Sequence, residues 1–356
     1  MRGRGSWICG LAAVAVALAG APAAARPAPQ PPSDAGLVRY RGPVEHIFFH
    51  PLLPDPKYTL HRGTQPAEFN KWMVTAREFR RIVPQLYAND WVLVDLEALF
   101  RKVKTEHGTV LRRQPLMLPP GKKPLVISVD DLNYPEYQIV NRLNTRLVLD
   151  EQGEVVAQRT KRDGTTVVSY RSEIVPILDR FVQEHPDFSI DGAKGTIALT
   201  GAEGILGYRT SGDGRRARKE QARVAPIVKR LKQTGWTFAS HTYNHPDLGA
   251  VSLAQVQQDT DRWERYVQPL LGRNTRILVY PFGSPVPAGS AKLAALRKAG
   301  FRVFCTIGPT ASLTLTDGYA VQARVHVDGV SLLSQQATLI RFFDPLSVID
   351  PVRPPL

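Results

Sequence analysis

Short apolar runs of strand length alternate with amphipathic stretches of helical periodicity along most of this chain, and this alternation limits the folds open to it. The predicted strands are residues 46–50, 91–94, 124–129, 194–200, 236–240, 276–280, 301–307 and 325–327, and the predicted helices include 75–88, 217–234, one from Ser252 and 291–299. Parallel strands need crossover connections, which such helices supply. The pattern therefore predicts an α/β domain with a mostly parallel sheet, and the number of units favours a barrel over an open two-domain sheet.

One segment departs from this alternation. Between residues 145 and 170 apolar and polar residues alternate with a period of two, and Gly153 and Gly164 interrupt the pattern. This is typical of a β-hairpin or ribbon inserted at the rim of a larger sheet. The pattern assigns the ribbon no function.

The amino terminus has the pattern of an export signal. Arg2 and Arg4 precede an apolar run from Trp7 to Ala19, and small residues follow as far as Ala25. We expect cleavage near Ala25 and export to the periplasm, the envelope or the exterior, with a retained membrane anchor as the alternative. Residues 26–40, rich in Pro and Ala at first, are predicted to be a flexible tether, and residues 41–356 a single domain.

The formal net charge of +14 predicts attraction to anionic surfaces such as a cell wall or a membrane. The charges are scattered and no nucleic-acid-binding motif accompanies them, so nucleic acid is not an expected partner. No pattern in the chain sets an oligomeric state. After signal cleavage Cys305 is the only cysteine, which excludes an intramolecular disulfide, and its apolar neighbours predict a buried thiol.

Three short polar motifs each follow a predicted strand, at the end where parallel α/β folds form their sites. They contain Asp130 with Asp131, His241 with His245, and Pro281 to Gly283. Two imidazoles and one carboxylate suit a divalent first-row metal and leave positions open for water and substrate. We therefore predict Asp131, His241 and His245 as ligands of Zn²⁺, with Co²⁺, Ni²⁺ or Fe²⁺ as alternatives.

Asp130 requires a separate explanation, since adjacent carboxylates at the end of a buried strand repel each other. A cation beside them offsets this repulsion and lets the two residues take different roles. With Asp131 on the metal, Asp130 is placed to accept a proton from the attacking water, whereas the alternative is a turn or helix-cap role.

These motifs resemble those of the polysaccharide deacetylase family, the NodB-homology domain of carbohydrate esterase family 4, over about residues 123–332. The resemblance implies a distorted (β/α) barrel of that type, here with an inserted β-hairpin. It also implies Asp130 as catalytic base, Asp131, His241 and His245 as metal ligands, and the backbone N–H of Phe282 as an oxyanion donor.

The chain departs from the family pattern at two places. Val279 stands where the third motif usually has the arginine that orients the base, and Arg324 or Arg276 is a candidate substitute. The fourth motif, an Asp and Trp pair, has no counterpart around residues 301–315. His326 is the only downstream match to the histidine that acts as general acid.

Three further residues are assigned supporting or substrate-binding roles. His50 resembles the histidine of the Tyr-His pattern that opens the cell-envelope branch of the family, which implies a position at the mouth of the same cavity. The other two are Arg324, two residues before His326, and Tyr280, directly before Pro281.

The favoured function is hydrolysis of N-acetyl groups on an amino-sugar polysaccharide of the cell envelope or a similar polymer. Two alternatives remain open at this stage. One is deacylation of a small molecule or an O-acyl ester at the same metal site. The other is a catalytically silent carbohydrate-binding envelope protein, which the two departures favour and the intact Asp and His set opposes.

Overall fold

The computed structural model describes residues 36–106, 108–161, 163–272, 275–316 and 318–356. The predicted export signal and most of the predicted tether lie outside these ranges. In the described part of the chain, no helix is both long and apolar enough to span a bilayer.

The strands are short, with one long buried strand among them. In chain order they are β1 (Val38–Tyr40), β2 (Glu45–Phe49), β3 (Trp91–Leu93), β4 (Phe100–Thr105), β5 (Gly108–Arg113), β6 (Leu116–Leu118), β7 (Lys123–Asp130), β8 (Arg146–Leu149), β9 (Val155–Thr160), β10 (Thr166–Ser169), β11 (Gly195–Leu199), β12 (Trp236–Ser240), β13 (Ile277–Val279), β14 (Val303–Ile307), β15 (Leu313–Leu315) and β16 (Ala320–His326).

The α-helices, in the same order, are α1 (Pro56–Thr59), α2 (Pro66–Trp72), α3 (Ala76–Ala88), α4 (Glu136–Val140), α5 (Ile174–Glu184), α6 (Arg215–Gln233), α7 (Leu253–Tyr266), α8 (Ala291–Lys298), α9 (Gly329–Ser334), α10 (Gln336–Leu339) and α11 (Pro345–Val348). Short 3-10 turns lie at Glu97–Leu99, Pro186–Phe188, Gln268–Leu271 and Pro281–Gly283. The helix predicted from Ser252 begins there because the hydroxyl of Ser252 and the side chain of Gln255 form a capping box.

Seven parallel strands close into a barrel in the order β11, β12, β13, β14, β16, β2, β7 and back to β11. The predicted (β/α) barrel is thereby confirmed. It is distorted, since β12 and β13 pair at a single position, Ser240 opposite Leu278. Because β2 pairs with both β16 and β7, the barrel includes a strand that lies before the region of the sequence motifs.

Two apolar layers stabilise the barrel, one inside it and one between its strands and the surrounding helices. Small apolar side chains fill its interior, among them Val126, Ala198, Ala239, Val279 and Cys305. Larger side chains such as Phe79, Trp236 and Trp263 fill the space between the strands and the helices. Cys305 is buried, as its apolar neighbours predict, and burial raises the pKa of its thiol to about 12.

The inserted segment, predicted as a β-hairpin or ribbon, forms three antiparallel strands, β8, β9 and β10. A second hairpin, β4 with β5, was not predicted, because its charged residues give no clear alternation. The carboxyl-terminal segment packs on α3. Arg353 makes a fully buried ion pair with Glu78 at 2.7 Å and also donates to the side chain of Asn70 at 2.9 Å.

Candidate active site

The carboxyl ends of the barrel strands bring the three sequence motifs together. Asp130 is the last residue of β7, His241 follows β12 directly, and Pro281–Gly283 follows β13 after Tyr280. In a closed parallel barrel these ends form one ring, so residues far apart in sequence surround one cavity.

Asp131, His241 and His245 form a compact group in which one ligand atom from each residue lies within 4.8 Å of the others. The Nε2 atoms of the two histidines are 3.1 Å apart. The Asp131 Oδ2 atom lies 3.9 Å from Nε2 of His241 and 3.7 Å from Nε2 of His245. The structure thus brings together the three residues predicted as metal ligands.

Unusual backbone conformations orient these side chains. Asp131, Thr242, His245 and Phe282 all have positive φ angles, between 57° and 67°. Residues other than glycine adopt this region at a cost of about 1–2 kcal/mol each. Such conformations persist where the surrounding structure enforces them, and they concentrate at functional sites. At Asp131 the turn lets the carboxylate border the same cavity as Asp130.

The histidine loop is held by Asp259 of α7, which sequence reasoning missed. Its carboxylate accepts hydrogen bonds from the backbone N–H groups of Tyr243 at 2.7 Å and Asn244 at 2.8 Å. An available signal was its place on the buried face of α7, between Val256 and Trp263. An acid on the apolar face of a helix needs a buried partner.

Two further contacts orient the ligand side chains. The Nδ1 atom of His241 lies 2.9 Å from the carbonyl oxygen of Val279, so Nδ1–H donates and Nε2 keeps its lone pair. The hydroxyl of Thr200, at the end of β11, donates to Oδ1 of Asp131. Thr200 carried no sequence signal, since its role depends on the neighbouring strand.

Arg324 pairs with Asp130 through both guanidinium nitrogens. Nη1 donates to Oδ1 at 2.8 Å and Nη2 donates to Oδ2 at 2.9 Å, and both side chains are buried. Arg276 lies at the other end of the barrel, where it pairs with Glu97 at 3.1 Å. Of the two candidate substitutes for the missing motif arginine, the structure places Arg324 on the aspartate.

The charges around Asp130 keep it ionised. Burial alone raises the pKa of its carboxyl, but Arg324 and then His241 lower it, and the net effect holds the pKa of Asp130 well below its usual range. Arg324 also donates to the hydroxyl of Ser128 at 3.1 Å, which lies 2.9 Å from Nε2 of the buried His46. Burial and then the Arg324 charge hold the pKa of His46 well below its ordinary value, so this ring is neutral.

His326, the predicted general acid, and His50, the predicted supporting residue, differ in their surroundings. His326 has both ring nitrogens engaged, Nδ1 with Asp328 at 2.7 Å and Nε2 with Gln335 at 2.8 Å. His50 has Nδ1 on the carbonyl oxygen of Trp72 at 3.0 Å, and its charge is among those that lower the pKa of Asp130.

Phe282 and Tyr280 lie on opposite sides of the third motif. Phe282 exposes its ring, which contacts the ring of His245 with centroids 4.8 Å apart. The hydrogen bonds of its turn are donated by Gly283 and Ser284. Tyr280 is buried and stacks on Phe304, so the predicted contact between Tyr280 and substrate is not supported; this side chain belongs to the core.

Glu173 fastens two loops of the site to each other. One oxygen accepts from the backbone N–H of Leu52, two residues after His50, and the other from the hydroxyl of Tyr134, three residues after Asp131. The carboxyl is fully buried, and burial raises its pKa to about 7 despite these donors.

This raised pKa predicts a pH-dependent stability. Because the folded-state pKa of Glu173 lies above the unfolded value of 4.5, its contribution is fully present below pH 4.5 and is lost as pH rises through 7. We expect Glu173 to contribute a fall in the free energy of unfolding on the order of 3 kcal/mol over this window. Glu173→Gln should remove that contribution, while Asp179, whose pKa burial raises to about 6, keeps its own. Urea titrations at pH 4.5 and 8 measure it. Glu184→Gln, an exposed acid on the same helix, is the matched control and should keep the wild-type slope.

One segment of the chain matches a known protein family. Residues 192–304 match the family model described as polysaccharide deacetylase, a range that contains His241, His245 and Phe282. No curated protein matches the chain.

Several solved structures are similar to this one at low sequence identity. The Streptococcus pyogenes deacetylase PplD is 16% identical, over 87% of this chain and 100% of its own, with a TM-score of 0.48. The de-N-acetylase of Aggregatibacter actinomycetemcomitans is 14% identical, over 85% and 100%, with a TM-score of 0.47. IcaB from Ammonifex degensii is 13% identical, over 84% and 97%, with a TM-score of 0.42.

The closed seven-stranded barrel and the motif residues gathered at its carboxyl ends agree with the family match over residues 192–304. Over that segment the chain is similar to the polysaccharide deacetylase family.

Proposed function

We propose that this protein is an exported, metal-dependent deacetylase that hydrolyses N-acetyl groups on an amino-sugar polysaccharide. The observation that carries the proposal is the placement of the Asp131, His241 and His245 group beside the buried Asp130–Arg324 ion pair. Support for export is the amino-terminal sequence pattern alone.

The donor set fits a divalent cation. The Nε2 atoms of the two histidines lie 3.1 Å apart, and the hydrogen bond from Nδ1–H of His241 to Val279 leaves Nε2 of His241 free to ligate. With the Asp131 carboxylate, this set suits Zn²⁺ first and Co²⁺, Ni²⁺ or Fe²⁺ next. A bound cation supplies Lewis acidity, since it lowers the pKa of a water molecule and stabilises negative charge on the acyl oxygen.

The side chains of the site then divide the remaining tasks. Asp130 accepts the proton of the attacking water, and Arg324 holds the two carboxylate oxygens in place and keeps them ionised. The strong ion pair makes Asp130 a weak base, which is sufficient for an acidified water. The N–H of Phe282 donates to the oxyanion that forms when water attacks the amide carbonyl.

The leaving amine needs a proton, and we assign its donation to His50, which has one ring nitrogen bonded to the protein where His326 has two. We expect His50→Gln to lower kcat by about 10²–10⁴-fold. We expect His326→Gln to lower it by less, since that ring already bonds with Asp328 and Gln335. The pH profile of kcat separates the roles, because losing the general acid removes the alkaline limb, whereas a structural change leaves the profile's shape intact. The opposite ranking of the two variants would return the role to His326.

The open surroundings of the site favour a polymer over a small molecule. The exposed ring of Phe282 borders it and contacts His245. Two more exposed aromatic residues lie near it: Trp72, whose backbone carbonyl accepts from His50, and Tyr137, whose pKa is raised by burial and also by the Asp131 charge. Aromatic faces of this kind stack on sugar rings. A silent binding protein is less well supported, since Arg324 takes the place of the missing arginine.

The test is acetate release from poly-N-acetylglucosamine by residues 26–356, beside Asp130→Asn, with N-acetylglucosamine monomer and an O-acetylated xylan as competing substrates. The proposal expects acetate release from the N-acetylated polymer by the wild-type protein. It expects the rate of release by Asp130→Asn to be lower by about 10³-fold. Release from the monomer or the ester alone would favour the alternative deacylase. No release from any of them, with metal bound, would favour the silent protein.

A further inference from the structure

We propose that a pocket between α3 and the inserted sheet binds a sugar unit that carries a carboxylate or phosphate group. This ribbon pocket has a volume of about 380 Å³. Five cationic side chains line it: Arg77 and Arg80 from α3, Arg159 and Lys161 from β9 and the turn after it, and Arg171 just past β10. The inserted strands, to which the deacetylase mechanism gives no task, thus supply most of its charge.

The positive charge of the ribbon pocket is poorly neutralised by the protein. Arg77 lies 3.9 Å from the carboxylate of Asp350. Across the described ranges, Arg80, Arg159, Lys161 and Arg171 make no ion pair with a carboxylate, and no acidic residue lines the pocket. Like charges gathered at one concave surface repel each other, and a bound anion removes that repulsion.

The two walls of the pocket, α3 and the inserted sheet, are joined by a hydrogen bond. Nη1 of Arg80 donates to the carbonyl oxygen of Arg171 at 2.5 Å, which fixes the inserted sheet against α3. Burial, and then the charges of Arg171 and Arg77, lower the pKa of Arg80. Arg80 and Arg159 are half-buried, whereas Arg77, Lys161 and Arg171 are exposed. A charge-assisted hydrogen bond to the half-buried pair is stronger than one at an open surface.

The floor of the pocket suits a sugar ring better than a bare ion. Apolar groups of Leu53, Pro54, Pro56, Ala76 and Val168 line it beside the cations. A pyranose ring has an apolar face that packs on such a surface, while a carboxylate or phosphate on the same ring reaches the guanidinium groups.

The pocket is linked to the candidate site through one loop. Leu53 follows His50 by three residues, and its backbone N–H donates to Val74 just before α3. We infer that the anionic sugar belongs to the polymer that the enzyme deacetylates. That last step rests on the proposed function, whereas binding of the anionic sugar does not.

Binding is measured by calorimetry in low salt with trigalacturonate, which carries carboxylates, and glucose 6-phosphate, which carries phosphate. Neutral chitotriose and vesicles with phosphatidylglycerol are the comparison ligands. The pocket variant is Arg159→Gln with Lys161→Gln, because neither side chain makes a hydrogen bond or ion pair within the described structure. The matched control is Arg215→Gln with Arg216→Gln, which removes the same charge from the exposed start of α6.

We expect at least one acidic sugar to bind, and its affinity to fall about tenfold or more in the pocket variant but not in the control. Acetate release from a neutral polymer should be unchanged in the pocket variant, so the two proposals fail separately. Equal losses in the pocket and control variants would show long-range attraction only and overturn the site. Absence of binding by both acidic sugars, or binding only to the vesicles, would overturn it as well.

Discussion

Arg324→Met is expected to abolish acetate release and to lower the free energy of unfolding by about 3–5 kcal/mol. The substitution keeps an unbranched apolar stem but removes the guanidinium group, which leaves the carboxylate of Asp130 buried without its partner. An unpaired buried carboxylate takes up a proton, so the base of the reaction is lost together with the ion pair. Denaturant titration and acetate release measure the two effects.

Two further variants separate stability from catalysis. Arg324→Met combined with Asp130→Asn removes the stranded charge and should recover part of the stability without activity. Arg276→Met breaks a partly exposed ion pair with Glu97 and should cost at most about 1 kcal/mol with acetate release retained. If Arg276→Met were the inactive variant, the assignment of Arg324 as the substitute for the motif arginine would be wrong.

His241→Ala is expected to abolish stoichiometric binding of a divalent cation. The wild-type chain should bind about one Zn²⁺ or Co²⁺, since its ligand atoms are already gathered within 4.8 Å. Removing one of three ligands should weaken affinity by more than the 10–100-fold typical of removing a residue that only hydrogen-bonds to a ligand. Equilibrium dialysis with elemental analysis measures bound metal directly, without reference to turnover.

The increase in the free energy of unfolding on cation binding tests the same site independently. A cation at about 100 times its dissociation constant stabilises the folded state by about 2.7 kcal/mol, and this increment should vanish in His241→Ala. His326→Ala is the matched control, since His326 is not one of the three residues grouped as ligands. Equal metal binding by the wild-type and His241→Ala proteins would contradict the proposed centre.

Much of the site was predictable because parallel strands end at one edge. Asp130, Asp131, His241, His245 and Phe282 each stand just after a strong apolar run, so their convergence followed from the fold class alone. The capped start of α7 and the burial of Cys305 were predictable for a similar reason, since both depend on near neighbours in sequence.

Other parts of the site were not predictable, because they depend on pairings between distant strands. The sequence left Arg324 and Arg276 equally eligible to replace the motif arginine. The choice depends on which end of the barrel each one occupies, and strand pairing fixes that. Thr200 and Asp259 orient Asp131 and the histidine loop across gaps of tens of residues or from a packed helix, where a single sequence gives no register.

By itself, then, the sequence determined the α/β class, the motif residues and the chemistry that those residues allow. These properties follow from local periodicity and side-chain type, which are read directly from the order of residues. The tertiary structure decided how the barrel closes through β2, which arginine holds Asp130, the burial of Tyr280, and the ribbon pocket between α3 and the inserted strands. The physical reason is that each of these depends on packing and hydrogen bonding between segments far apart in the chain.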